Sequence, residues 1–375
     1  MSKPSLGLYL HIPFCLQKCL YCDFCSFPAP QREQMEAYVE ELCARIVQAA
    51  KQNREKMLIN SIYFGGGTPS LMTDRMFRRL LGCIHNHCLV TDDCEITVEC
   101  NPATVDPQKL ILLSCLGVNR LSIGLQSAND RELSRLGRLH TFADFRQTFL
   151  EAREAGFDNI SVDLMYGIPD QTLDSFRHTL DAVLALSPEH ISAYGLKIEE
   201  GTPFASQRST LSLPDEDTEF AMYRLCTELL EENGYQKYEI SNFAKAGKES
   251  RHNLRYWKQE EYLGFGVAAH SCIGGERFGN SRSISDFLAG KDITAERTVL
   301  TDQDIRNEYI MLRLRLTEGL SLSDYQMRFG NELETECPAI ASFLQGGFLK
   351  KENGRLSFTD RGFFVSNTIL SELLT

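Results

Sequence analysis

Cys15, Cys19 and Cys22 stand in a C-x3-C-x2-C spacing on one short stretch, directly after an apolar, strand-like run from Leu6 to His11. Three thiolates on one loop can hold three corners of a 4Fe-4S cluster, whereas a closed cluster takes four cysteines and a structural zinc takes four ligands. The fourth iron is then open to a small molecule. Soft thiolates suit iron–sulfur chemistry or zinc and not magnesium or calcium. Spacing alone leaves a second reading open, in which Cys25 completes a small zinc knuckle. Further along, Ile62-Tyr63-Phe64 runs into Gly65-Gly66-Gly67-Thr68-Pro69. Glycines let backbone N–H groups approach a ligand with no Cβ in the way, although a lone run of glycines more often makes a turn.

These residues need a frame that brings them together. From Leu6 to about residue 200 the chain alternates β-like runs with helical patterns: Leu6 to His11, Ser61 to Phe64, Glu95 to Glu99, Arg120 to Leu125, Asn159 to Leu164 and His190 to Tyr194. Between the first two lies Met35, Tyr38, Val39, Leu42 and Ile46, the stripe of an amphipathic helix. Alternating β and α units imply right-handed crossovers and a parallel sheet. Six units are fewer than the eight of a closed TIM barrel, so an open, partial (β/α)6 barrel follows, with its site at the strand C-termini. The polar residues obey that rule: the cysteine loop follows the first strand, Gly65 to Pro69 the second, Glu99 and Asn101 the third, Gln126 the fourth, Asp163 the fifth, and Tyr194-Gly195 ends the sixth.

Beyond Gly201 the rhythm breaks. A helical stretch Asp215 to Asn233 and a strand Gln236 to Ile240 precede the segment His252-Asn253-Leu254-Arg255-Tyr256-Trp257. After Thr301, helices Asp302 to Arg315 and Ser323 to Phe329, and an Asn353-Gly354 turn between Phe348 to Lys351 and Arg355 to Thr359, suggest a winged-helix-like module. The expected division is 1–200 for the barrel, 201–300 for an extension and 301–375 for the terminal module.

The 375 residues, 43% hydrophobic and 24% charged, describe an ordinary globular protein with ample core. Thirteen cysteines at irregular spacing argue for a reducing compartment. Met1 to Gly7 is too short and polar for a secretory leader, and no apolar run reaches a membrane span, so a cytoplasmic location is expected. A net charge of -12 argues against nucleic acid as a partner, even with Lys350, Lys351, Arg355 and Arg361 on the terminal wing.

Tyr9-Leu-His-Ile-Pro-Phe-Cys15, the cysteine loop and the Gly65 to Pro69 segment together resemble the radical S-adenosylmethionine (SAM) superfamily, and the whole chain resembles its HemN/HemW group. The resemblance implies that Cys15, Cys19 and Cys22 ligate the cluster and that SAM binds its open iron. It also implies SAM contacts from Tyr9, Tyr21, Gly66, Gly67, Thr68, Glu99, Gln126, Arg138 and Asp163. Read from chemistry alone, Glu99 and Asp163 can accept from the donors of SAM or balance its positive charge, and Arg138 can pair its carboxylate. Each has a plainer alternative: Asp163 as a turn cap, Arg138 as an exposed ion-pair partner. Phe14, Phe24 and Phe27 would shield the cluster.

Within the group, the dehydrogenase branch acting on coproporphyrinogen III carries a further cysteine where this chain has Phe24, and a long extension before the first strand. The present chain matches the heme-chaperone branch instead. The implied function is binding heme beside a SAM-liganded 4Fe-4S cluster and delivering it to respiratory apo-proteins, at the membrane or away from it, with an unnamed electron donor. The alternative is a radical SAM oxidoreductase on coproporphyrinogen III or another tetrapyrrole. His252, heading the H-N-x-x-Y-W segment, is the implied heme ligand, with Tyr256 and Trp257 as flat apolar surface and with His11 and His270 as competitors.

Overall fold

A computed structural model describes residues 5–52, 57–102 and 104–374. All six expected strands are present, at Leu6–Ile12, Leu58–Gly66, Leu89–Cys100, Arg120–Gln126, Ile160–Tyr166 and His190–Gly195, each hydrogen-bonded in parallel to the next. A seventh parallel strand, Tyr262–Phe265, adds to the open side of the first. Antiparallel strands extend both edges into one twelve-stranded sheet that does not close on itself. The open barrel is therefore as expected, but residues 201–300 do not stand apart: their strands flank the barrel on both sides.

Side-chain alternation explains how the sheet buries two different surfaces. On the fourth strand Leu121, Ile123 and Leu125 join the hydrophobic core, while Arg120, Ser122, Gly124 and Gln126 line the barrel's interior. Helices cover the apolar side. The helix Arg32–Gln52 buries Met35, Tyr38, Val39, Leu42 and Ile46, the stripe read from the sequence. Thr73, Asp106, Thr141 and Thr172 each accept a backbone N–H at a helix start, so the four crossovers after the second strand enter their helices at fixed points.

The expected strand Gln236 to Ile240 is shorter. Tyr238 N donates to Asn242 O and Ser241 N to a Glu239 carboxylate oxygen, so the chain reverses there and pairs Gln236–Lys237 with Asn242–Ala244. In the terminal module, the helices Asp302–Leu314 and Leu322–Phe329 pack on a three-stranded sheet whose hairpin turns at Asn353 (φ 51°) and Gly354 (φ 74°). Two successive positive φ angles are the I′ turn that Asn-Gly favours. The module's core takes in Tyr223, from the helix Glu216–Glu232 outside it. No helix among the described residues is long and apolar enough to cross a membrane.

Candidate functional site

The barrel interior and the inner face of the terminal module enclose one cavity of about 1000 Å³. Its outer end is the cysteine loop. The segment from Cys19 to Cys22 is clamped by backbone hydrogen bonds from Leu20 N to Leu136 O (3.0 Å) and from Phe204 N to Leu20 O (3.0 Å), which tie it to the short helices Asp130–Arg135 and Pro203–Gln207 that follow the fourth and sixth strands. Cys15, Cys19 and Cys22 all face the cavity; Cys25 is buried and does not line it.

Two of the thiols already have donors aimed at sulfur. Thr68 Oγ1 donates to Cys15 Sγ (3.6 Å) and an Arg138 Nη to Cys19 Sγ (3.7 Å). Such contacts favour the thiolate form and tune a bound cluster. Among the described residues no group of three or more His, Cys, Asp or Glu side chains is placed to hold a metal ion. The thiols share a wall, not a point, and burial pushes the Cys22 thiol up to about 11.

The glycine loop does its work differently from the expectation. Its amides do not reach toward a ligand: Gly66 N donates to Glu99 Oε2, Gly67 N to Ile12 O and Thr68 N to Phe14 O. The glycines are needed because the cysteine strand presses against them. A Cβ on Gly67 would sit 2.7 Å from Phe14 O, and one on Gly66, at φ 113°, would meet the His11 ring at 2.5 Å. The loop thus fixes the position of Cys15, and Gly66, Gly67 and Thr68 still line the cavity.

Glu99 accepts from Tyr63 OH (2.9 Å) and Gly66 N (3.1 Å), and burial, reinforced by the charge of Asp163, pushes its carboxyl up to about 7. Asp163 accepts from Ser122 Oγ (3.1 Å) and burial pushes it up to about 6. It caps no turn. Gln126 ends the fourth strand at φ 74°, a left-handed backbone that costs on the order of 1–3 kcal/mol for a side-chain residue, and takes a hydrogen bond from Tyr194 OH (2.8 Å). Arg138 is no surface partner: it donates to Gly124 O (2.5 Å) and Asn101 Oδ1 (2.8 Å) and crosses the cavity wall toward Cys19. Tyr21 lies beside it.

Two expected residues are not on the cavity wall. Tyr9 is half-buried on the first strand, hydrogen-bonded to His11 Nδ1 (3.0 Å) and stacked behind Tyr63 at 6.2 Å. His252 is buried in the helix Arg251–Trp257, with Nδ1 on Ser61 Oγ (3.0 Å), Nε2 on Tyr256 OH (2.8 Å) and its ring on Tyr63 at 5.2 Å. Burial holds it neutral, with its pKa lowered to about 3. The amides of Arg251 and His252 both donate to the Glu95 carboxylate, a helix start seated on an anion. Of the H-N-x-x-Y-W segment only Asn253 lines the cavity. The competing histidines are also absent from the wall: His11 is bonded to Tyr9 and the Cys25 carbonyl, and His270 is exposed at the start of the strand His270–Ile273.

The inner part of the cavity was not anticipated. Its floor is made by Arg120, Ser122, Ser161, His190, Ser192 and Asn242, and its far wall by Tyr166, Tyr223, Ile240, Arg315, Phe363 and Phe364. The signal for the floor was in the sequence as alternation. Arg120, Ser122, Gly124 and Gln126 interleave with Leu121, Ile123 and Leu125, and Ser161 and Asp163 with Ile160, Val162 and Leu164. The far wall had no local signal, since it depends on how the terminal module packs.

Residues 9–183 match the model of the radical SAM superfamily, and residues 300–365 match the HemN C-terminal domain. The chain is 35% identical to the heme chaperone HemW of Bacillus subtilis, over 98% of each chain. It is 34% identical to the heme chaperone HemW of Escherichia coli K12, over 100% of this chain and 99% of that one. Among solved structures, the coproporphyrinogen III oxidase HemN of Escherichia coli superposes with a TM-score of 0.87 at 24% identity, covering 100% of this chain and 91% of the other. That superposition speaks to the shared fold.

Proposed function

We propose that this chain, which belongs to the HemW family of radical SAM proteins, is a heme chaperone: it binds heme in the cavity behind a SAM-liganded 4Fe-4S cluster and passes it to respiratory apo-proteins from the cytoplasm. The observation that carries the reading is that one cavity joins two unlike ends. The cysteines and the polar residues at the strand C-termini form the outer end; tyrosine and phenylalanine rings under the terminal module form the inner wall.

Cys15, Cys19 and Cys22 would hold the cluster, which supplies one-electron chemistry and an iron open to a chelating ligand. The residues fit that group by their chemistry. Three soft donors share one loop, Thr68 and Arg138 stand ready to donate to sulfur, and Leu20 anchors the loop from both sides. Glu99, Gln126, Arg138 and Asp163 would orient the amino, carboxylate and ribose groups of SAM, Tyr21, Gly66, Gly67 and Thr68 would contact it from the same wall, and Tyr9 would support Tyr63 from behind. Tyr166, Tyr223 and Phe364 offer flat apolar surface suited to a porphyrin face. As arranged, neither ring nitrogen of His252 is free for iron, so ligation by His252 requires Tyr256 OH or Ser61 Oγ to let go.

Anaerobic reconstitution followed by heme titration and a coproporphyrinogen III assay on one preparation tests the reading. The expected result is about four irons per chain, stoichiometric heme and no CO2 release. Turnover of coproporphyrinogen III would replace it with the oxidoreductase alternative.

A further inference from the structure

Arg120 heads the fourth strand and is 1% exposed, among the largest fully buried side chains in the molecule. A buried guanidinium is costly to desolvate unless hydrogen bonds or a counter-ion answer it. Here its Nε has no hydrogen-bond partner, and no ion pair among the described residues answers its charge. The acids whose fields it feels are otherwise engaged, Glu99 by Tyr63 OH and Gly66 N, Asp163 by Ser122 Oγ. Thr97, its register partner on the third strand, has an unpartnered hydroxyl, which can donate as well as accept. Buried polar atoms are nearly always paired, so a cluster of orphans beside a cavity points to a missing polar partner.

A second guanidinium lines the same cavity. Arg315 reaches it from the terminal module, with its Nε unpartnered and an Nη on Asn367 Oδ1 (2.9 Å). Tyr238 ties the floor to the module: its hydroxyl bonds His190 Nε2 on the floor and its carbonyl accepts Thr317 N, two residues from Arg315. Around them lie hydroxyls and amides of Ser161, Ser192 and Asn367, and beside them the aromatic wall.

We propose that Arg120 and Arg315 form a carboxylate-binding site at the inner end of the cavity, which takes the carboxylate edge of the tetrapyrrole while its apolar face lies on the aromatic wall. This rests on the heme reading above. The shared chemistry, a carboxylate, could also come from the amino-acid end of a SAM molecule, and the test separates the two sources.

The full-length reconstituted chain is titrated with heme and with heme dimethyl ester, which keeps the ring and iron and removes both charges, and SAM binding is followed by equilibrium dialysis. Wild type is expected to bind the diacid at least about tenfold more tightly than the diester, since charge-assisted hydrogen bonds are the strong ones. Arg120→Gln and Arg315→Gln are each expected to shrink that preference toward unity while diester affinity changes less than about twofold. Equal wild-type affinity for diacid and diester overturns the site and leaves the heme reading standing. Binding of neither overturns the heme reading itself. Equal weakening of both ligands by Arg120→Gln overturns the assignment in favour of a structural role, and weakened SAM binding with heme unaffected moves the carboxylate to SAM. Because the wild-type comparison needs no variant, a failure of Arg120→Gln to fold does not remove the test.

Discussion

At the scale of single residues, the cysteines carry the plainest prediction. Cys19→Ala leaves two thiols on the loop and removes the sulfur that Arg138 contacts, so cluster iron should fall close to zero; retention of about four irons per chain would refute the assignment. Glu99 carries a prediction in pH. Its folded-state carboxyl, pushed to about 7, lies above the ordinary 4.5 of the unfolded chain, so the folded state binds the extra proton between those values. Stability of the cluster-free chain should therefore decline as pH rises from about 4.5 to about 7. Glu99→Gln should flatten that decline and stabilise the cluster-free protein at pH 8 by on the order of 3 kcal/mol, read as denaturant midpoints at pH 5 and pH 8. Parallel pH profiles in the two proteins would show that Glu99 is not the group. The cysteines, Glu99 and Asp163 were legible in the sequence because titratable or soft residues at strand ends stand out by type. Arg120 does not stand out by type, because an arginine opening a strand reads as a surface residue; only its alternation with Leu121 and Ile123 places it on the face of Ser122, Gly124 and Gln126.

At the scale of elements, strands and the first helix were legible because their periods are local. Burial of Met35, Tyr38, Val39, Leu42 and Ile46 follows from the 3.6-residue repeat alone. The position of His252 was not, since it depends on contacts between Arg251–Trp257 and strands more than 150 residues earlier in the chain, through Glu95 and Ser61. Given those contacts, His252→Ala is expected to lower stability by about 1–3 kcal/mol through lost buried hydrogen bonds and to leave the Soret maximum of bound heme in place. A Soret shift with His252→Ala, and tighter heme binding with Tyr256→Phe, would instead make His252 the axial ligand. The glycine loop is the other case of element-level logic. Gly67→Ala places a methyl group against immovable backbone at Phe14, so the second strand and the cysteine strand must separate, with an expected loss of about 1–3 kcal/mol or more. Cluster content, measured as iron and sulfide per chain, should fall with it. Unchanged stability and full iron would mean that the loop is looser than its contacts imply.

At the scale of the whole molecule, the terminal module lines the inner part of the cavity, and if heme binds there as proposed, the attachment of the module should govern its exchange. Lys237 is buried at that junction, hydrogen-bonded to Tyr223 OH, lying over the rings of Tyr223 and Phe363, and paired at 3.4 Å with Asp360 of the module. Burial lowers its pKa and the Asp360 carboxylate opposes that shift. Asp360 is itself largely exposed, so its loss should weaken the closed arrangement by only about 1 kcal/mol. Lys237→Met removes a buried charge, keeps the apolar stem against both rings and leaves only the exposed Asp360 without its partner, so no buried charge is stranded and the cost should be small. The two variants should therefore change heme exchange unequally without touching the cysteine loop. Asp360→Ala should speed transfer of heme to an apo-globin trap by about fivefold, the kinetic equivalent of about 1 kcal/mol, and Lys237→Met should leave it close to unchanged. Iron and sulfide content serves as the control. If both variants exchange heme at the wild-type rate, the ligand does not pass beneath the module, and the cavity opens instead at the cysteine loop.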